Sequence, residues 1–213
     1  MRGERTCPRC GAAARPPGAW SSRWLCDLHG EVYPLAPVTT PSAPLVHQLA
    51  RDSHVPMWLP WPLPRGWVVG AVIHAGDDAG GVRACGVGIS GPNPLGGPGD
   101  FLLVAEEQGV GLGAGLAGLE GVDPGKAVEG EPRAKVLVQG RTVPLWFVEG
   151  PADRAVYAGH WGGSWLWAIL YPQTAGVLLL EDVEVVDLRD LGHEADLLPY
   201  GTPPPWLTPG YDQ

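Results

Sequence analysis

From Gly66 onward the apolar residues fall in short runs rich in β-branched and aromatic side chains, each closed by turn-forming residues, a pattern that is strand-like. It predicts strands at Trp67–Ala75, Val82–Ser90, Phe101–Glu106, Ala134–Val138, Val143–Glu149, Arg154–Gly159, Ser164–Tyr171 and Val183–Asp187. GHWGG and VQGRT join neighbouring runs as tight hairpin connections, so the pairing is expected to be antiparallel. Helical spacing is scarce. Pro44–Arg51 carries Leu and Val at helical intervals; Glu106–Leu119 and Ala175–Asp182 are the other candidates, and glycines weaken Glu106–Leu119. The expected fold class is α+β and β-rich.

Residues 1–37 break this pattern. They hold few large apolar side chains, and so short a unit does not fold without a staple. They contain CPRCG, Cys7 to Gly11, and CDLHG, Cys26 to Gly30. A two-residue spacing lets both side chains of a pair point inward from one tight turn, and two such pairs complete a tetrahedron of soft and borderline donors. Gly11 and Gly30 follow the pairs directly, where positive φ is tolerated. Cys7, Cys10, Cys26 and His29 are therefore expected to hold zinc in a zinc ribbon. A Cys3His set is closed to water, so the expected role is structural. The organisation that follows is a zinc ribbon at 1–37, a Pro/Trp-rich connector at 38–66, an antiparallel-sheet domain at 67–200 and a Pro-rich tail at 201–213, expected to lie along the surface or stay unstructured. Cys85, alone in an apolar run, reads as a small buried hydrophobe.

Charge sharpens the division. Residues 1–37 carry five arginines against three acids, whereas the remainder carries nine basic and 20 acidic residues. So acidic a body repels phosphate backbones, which leaves only the ribbon, through Arg9, Arg15 and Arg23, as a nucleic-acid contact. No unbroken apolar run reaches transmembrane length and the first residues are polar, so the chain reads as cytoplasmic, with no membrane partner. Clustered Cys and His in that compartment indicate metal, not disulfides. No pattern specifies an oligomeric state.

Other signals are weaker. GAGLAG, Gly113 to Gly118, matches a dinucleotide fingerprint, yet with 32 glycines in 213 residues the pattern arises by chance about 0.7 times. GLEGVDPG follows it where a helix is needed. Of ten tryptophans, six lie in WLPWPLPRGW and HWGGSWLW, and core packing is favoured for them over ligand stacking. His74 with Asp77 and Asp78 forms either a site or a solvated turn. Glu106 and Glu107 are adjacent, so within a strand their side chains diverge. There is no G-x-S-x-G elbow, Walker loop or HExxH.

MRGERTCPRCG, WLCDLHGEVYPL, VPMWLPWPLPRGW, GPNPLGGPGD and RAVYAGHWGGSWLWAILYP together resemble an uncharacterised actinobacterial family, common in streptomycetes, with an N-terminal zinc ribbon and a conserved domain of unknown function. The resemblance spans nearly the whole chain and implies no mechanism. The residues point to a non-enzymatic zinc-binding adaptor or regulatory protein whose partner is another protein. Two alternatives stand beside it. One is an enzyme with its site in the body, near His74, Asp77 and Asp78 or beneath Trp165 and Trp167, for example the acyltransferase that a phosphotransacetylase label on relatives suggests. The other is nucleic-acid contact through the ribbon.

Overall fold

The computed structural model describes residues 4–19 and 21–207. Arg2 and the tail beyond Leu207 lie outside the described residues.

The chain runs through β1 (Trp24–Cys26), β2 (Gly30–Val32), α1 (Ala43–Asp52), β3 (Trp58–Pro60), β4 (Val68–Asp77), β5 (Gly81–Pro92), β6 (Pro98–Glu106) and α2 (Leu112–Ala117). It continues through β7 (Ala134–Val138), β8 (Arg141–Phe147), β9 (Ala155–Trp161), β10 (Ser164–Tyr171) and β11 (Val183–Asp187). β1 and β2 form a small antiparallel pair, while the other nine strands make one curled sheet in the order β3-β11-β7-β8-β9-β10-β6-β5-β4. Every neighbouring pair is antiparallel except β7 and β11. The fold is α+β and strand-rich.

All eight strands expected from the apolar runs are present, three of them with the same limits. The two hairpins are two-residue turns with both central residues at positive φ: Gly162 and Gly163 between β9 and β10, Gln139 and Gly140 between β7 and β8. That geometry matches the twist of paired strands.

The middle strands are covered on both faces. Along β10, Leu166, Ala168 and Leu170 enter one buried cluster, and Trp167 and Ile169 enter a second on the opposite face. β6 divides in the same way, with Phe101, Leu103 and Ala105 opposed to Leu102 and Val104. Period-two alternation is thus real here, although both sets are apolar and the sequence shows only continuous runs.

Three stretches differ from their sequence reading. The helix expected at Pro44–Arg51 is present as α1, but the rest of the Pro/Trp-rich segment is no free connector: it supplies β3 to the body, and Val55, Met57 and Leu59 are fully buried. The helix expected at Glu106–Leu119 shrinks to Leu112–Ala117, because Gly109, Gly111 and Gly118 all take positive φ. The helix expected at Ala175–Asp182 is instead a 3-10 turn, Gln173–Leu180, and Glu181 after it is extended. The start of the tail is docked. Val69 donates to Pro199 O and Gly201 donates to Val69 O, and the Trp206 ring stacks on Tyr171 and donates to Asp100. No helix among the described residues is long and apolar enough to cross a membrane.

Candidate metal centre

The first knuckle is a turn in which Gly11 N–H donates back to Cys7 O, and the second joins β1 to β2, where Cys26 pairs with Gly30. Gly11 and Gly30 both sit at φ +70°. These turns bring the four expected donors together, and their ligand atoms all lie within 4.8 Å of one another. Cys10 Sγ stands 3.8 Å from Cys26 Sγ, and His29 Nδ1 stands 3.5 Å from Cys7 Sγ and 3.6 Å from Cys26 Sγ. A tetrahedron with metal–sulfur bonds near 2.3 Å and a metal–nitrogen bond near 2.0 Å requires S···S of about 3.8 Å and S···N of about 3.5 Å. The donor set fits a single metal ion.

Electrostatics at the site follow burial and local donors. Cys7 is buried, which pushes its thiol up to about 11. Burial would raise Cys26 as well, but the backbone N–H groups of Leu28 and His29, with the His29 ring and Cys7, bring it down to about 6. Donors aimed at a sulfur favour its thiolate, the form a metal needs.

The head is fastened to the body. Thr6 pairs with Leu35, and Leu35 in turn bridges to Ala75 on the edge of β4. Arg5 Nη1 donates to Gly76 O at 2.7 Å, and Arg9 donates to the carbonyls of Val110 and Gly109. Pro8, inside the first knuckle, is buried against Gly115, where an added Cβ would come within 2.2 Å of its carbonyl oxygen. GAGLAG is therefore a packing surface. Gly113 receives the Trp167 ring from below, and Gly115 receives the knuckle from outside.

Beneath that contact lies Glu106, a residue sequence reasoning treated only as one of a diverging pair. It is fully buried and accepts from Trp167 Nε1 at 2.6 Å and from Leu112 N at 2.7 Å, whereas Glu107 pairs outward with Arg83. Burial lifts Glu106 to about 7 from an ordinary 4.5, while its backbone and Trp167 donors pull the other way. Between those two values the folded protein keeps a proton that the unfolded chain releases, so stability falls as pH rises through that window. Buried His74 acts in the opposite direction over nearly the same range, so the Glu106 contribution is read as a difference: in urea unfolding the wild type should lose stability relative to Glu106→Gln as pH rises from about 4.5 to about 7. A difference that does not change with pH would show that another group is responsible.

The other candidates divide. His74, Asp77 and Asp78 do line one cleft of 570 Å³, with Arg5 and His54. Asp77, however, accepts from the backbone N–H groups of Ala79 and Gly80 and so closes the turn. No hydrogen bond joins His74 to either aspartate among the described residues. Burial, reinforced by the charge of Arg5, lowers His74 to about 4 and keeps it neutral. Trp165 and Trp167 both pack into the second buried cluster. Cys85 is fully buried, which pushes it up to about 12.

Fold and site together define a strand-rich protein whose small head, carrying a Cys/His cluster able to hold a metal ion, is docked on a curled sheet. The chain belongs to a family of unknown function, DUF6758, whose model matches residues 1–207 and so takes in head and body alike. No curated protein and no solved structure matches the chain.

Proposed function

We propose that this is a non-enzymatic, zinc-stabilised module that binds another protein, with the metal in a structural role. The supporting observation is the separation of metal and exposed apolar surface. Four protein donors close the coordination shell, whereas Leu95, Phe147 and Leu180, at 68%, 43% and 83% exposure, gather around one open groove on the body. A contiguous apolar surface of that kind is a usual mark of protein association. Zinc suits the donor chemistry, since three thiolates and an imidazole form a tetrahedral set of the zinc type. When bound, it supplies cross-linking of the two knuckles.

Contact with nucleic acid through the head is disfavoured by the arginines themselves. Arg9 is spent on body carbonyls, and Arg15 pairs with Asp27 at 2.6 Å.

Purified without chelator, the protein is expected to carry near one equivalent of zinc, measured by elemental analysis. His29→Ala should weaken retention and loosen the head while the body stays folded. Unchanged metal content in that variant would reassign the fourth ligand, and absence of metal from the wild type would sink the structural-zinc reading. For the interaction, cross-linking in native extract should recover a partner with the wild type and lose it with Leu180→Asp. Equal recovery by both would place the contact elsewhere.

A further inference from the structure

The sheet curls so that β3, at one end, comes close to β5 and β6, and a pocket of 330 Å³ opens beside it. Its floor is Trp67, Ile89 and Phe101, none more than 4% exposed, and one wall is the half-buried ring of Trp61 in the β3–β4 loop. Across the mouth run Leu178 and the acidic stretch that leads into β11. There Asp182 pairs with Lys135 at 2.9 Å, while the exposed carboxylates of Glu181 and Glu184 have no side-chain partner among the described residues. Among the described residues, no basic side chain lines the pocket.

We infer that this pocket receives a cationic side chain, arginine above all, presented by a basic segment of the partner protein; the inference rests on the interaction reading above. A guanidinium is suited to both features. Its planar face stacks on an indole, its methylene stem lies along an apolar floor, and its donors reach carboxylates at the rim. An anionic group would meet like charge at the mouth.

The setting favours a peptide over a small free cation. Leu178 borders this pocket, and Leu180, on the same 3-10 turn, borders the groove of Leu95 and Phe147. The two sites thus flank one 3-10 turn, which suits an extended segment with apolar residues beside its cation. Beyond residue 37 the chain carries 20 acidic against nine basic residues, a field that draws basic partners in.

The test is fluorescence anisotropy of a labelled peptide of arginine, proline and leucine, against the same peptide with citrulline, which keeps the shape and removes the charge. The arginine peptide should bind at one site, more weakly as salt rises, and the citrulline peptide about tenfold more weakly. Trp61→Ala and the double variant Glu181→Gln/Glu184→Gln should each lose about tenfold in affinity, with circular dichroism and metal content unchanged. Equal binding of the citrulline peptide, or full affinity in the double variant, would overturn the proposal. Benzyltrimethylammonium binding where the peptide does not would overturn it too, by making the pocket a small-cation site. A native partner lost by Leu180→Asp but kept by Trp61→Ala would leave the interaction module standing and remove this pocket from it. A zinc-free wild type would touch only the metal reading.

Discussion

In the Cys10→Ser protein the bound metal is expected to be lost and Tm to fall by about 10 °C, the consequence of losing several kcal/mol of metal-linked folding energy in a chain of this size. Cys10 is the informative ligand because it is exposed, so its replacement removes a thiolate without opening a hole in a core. The loss is expected to spread beyond the head. With the first knuckle released, Pro8 and Arg9 leave Gly109 to Gly115, and the second buried cluster loses part of its cover. Adding His29→Ala to Cys10→Ser should cost little more, since both changes remove one and the same ion. Calorimetry with elemental analysis checks both points. Metal loss with an unchanged Tm would mean that the head rides on the body without bracing it.

Gly113→Ala is expected to destabilise the fold by about 3 kcal/mol, a large effect for one methyl group. The added Cβ would lie 2.2 Å from ring atoms of Trp167, which is fully buried and tied by its indole N–H to Glu106. Neither the ring nor α2 has room to give. Gly115→Ala strikes the other side of the same short helix, at the Pro8 carbonyl, and should loosen the head while leaving all four metal ligands in place. Gly130→Ala is the control. It faces open space at negative φ, so it should be neutral or slightly stabilising. Urea unfolding of the three variants, with zinc content measured alongside, separates these outcomes. A Gly113→Ala protein as stable as the wild type would show that the α2 contact is slack.

These predictions rest on contacts that the sequence does not display, and the reason is physical. The metal donors were legible because each pair is a local turn with a fixed spacing. β7, β10 and β11 were legible because β-branched and aromatic runs end at turn residues. β3 was not, because Pro60 and its neighbours read as linker, and its pairing with β11 joins residues more than 120 positions apart. The parallel β7–β11 pairing is hidden although both strands are legible, because β8, β9 and β10 lie between them in the chain. GAGLAG carried a misleading local signal. What decides its glycines is a tryptophan about 50 residues downstream and a proline about 100 residues upstream, neither of which leaves a mark in its neighbourhood. That Glu106 and Glu107 diverge was predictable from strand geometry. Which of the two would be buried depended on α2 folding over one face.

Both outer stretches of the chain close the same strand. Leu35 lies against the half of β4 near Ala75, and Tyr200 lies against the half near Val69. A sheet edge left open is a template for pairing with another chain. Dissecting this protein into a free head and a free body would therefore yield a sticky body, prone to join its own copies along β4. A ribosome making the chain releases a sheet whose margin stays half unsealed until the residues around Tyr200 emerge, so a late premature stop is expected to give aggregates in place of a shortened soluble product.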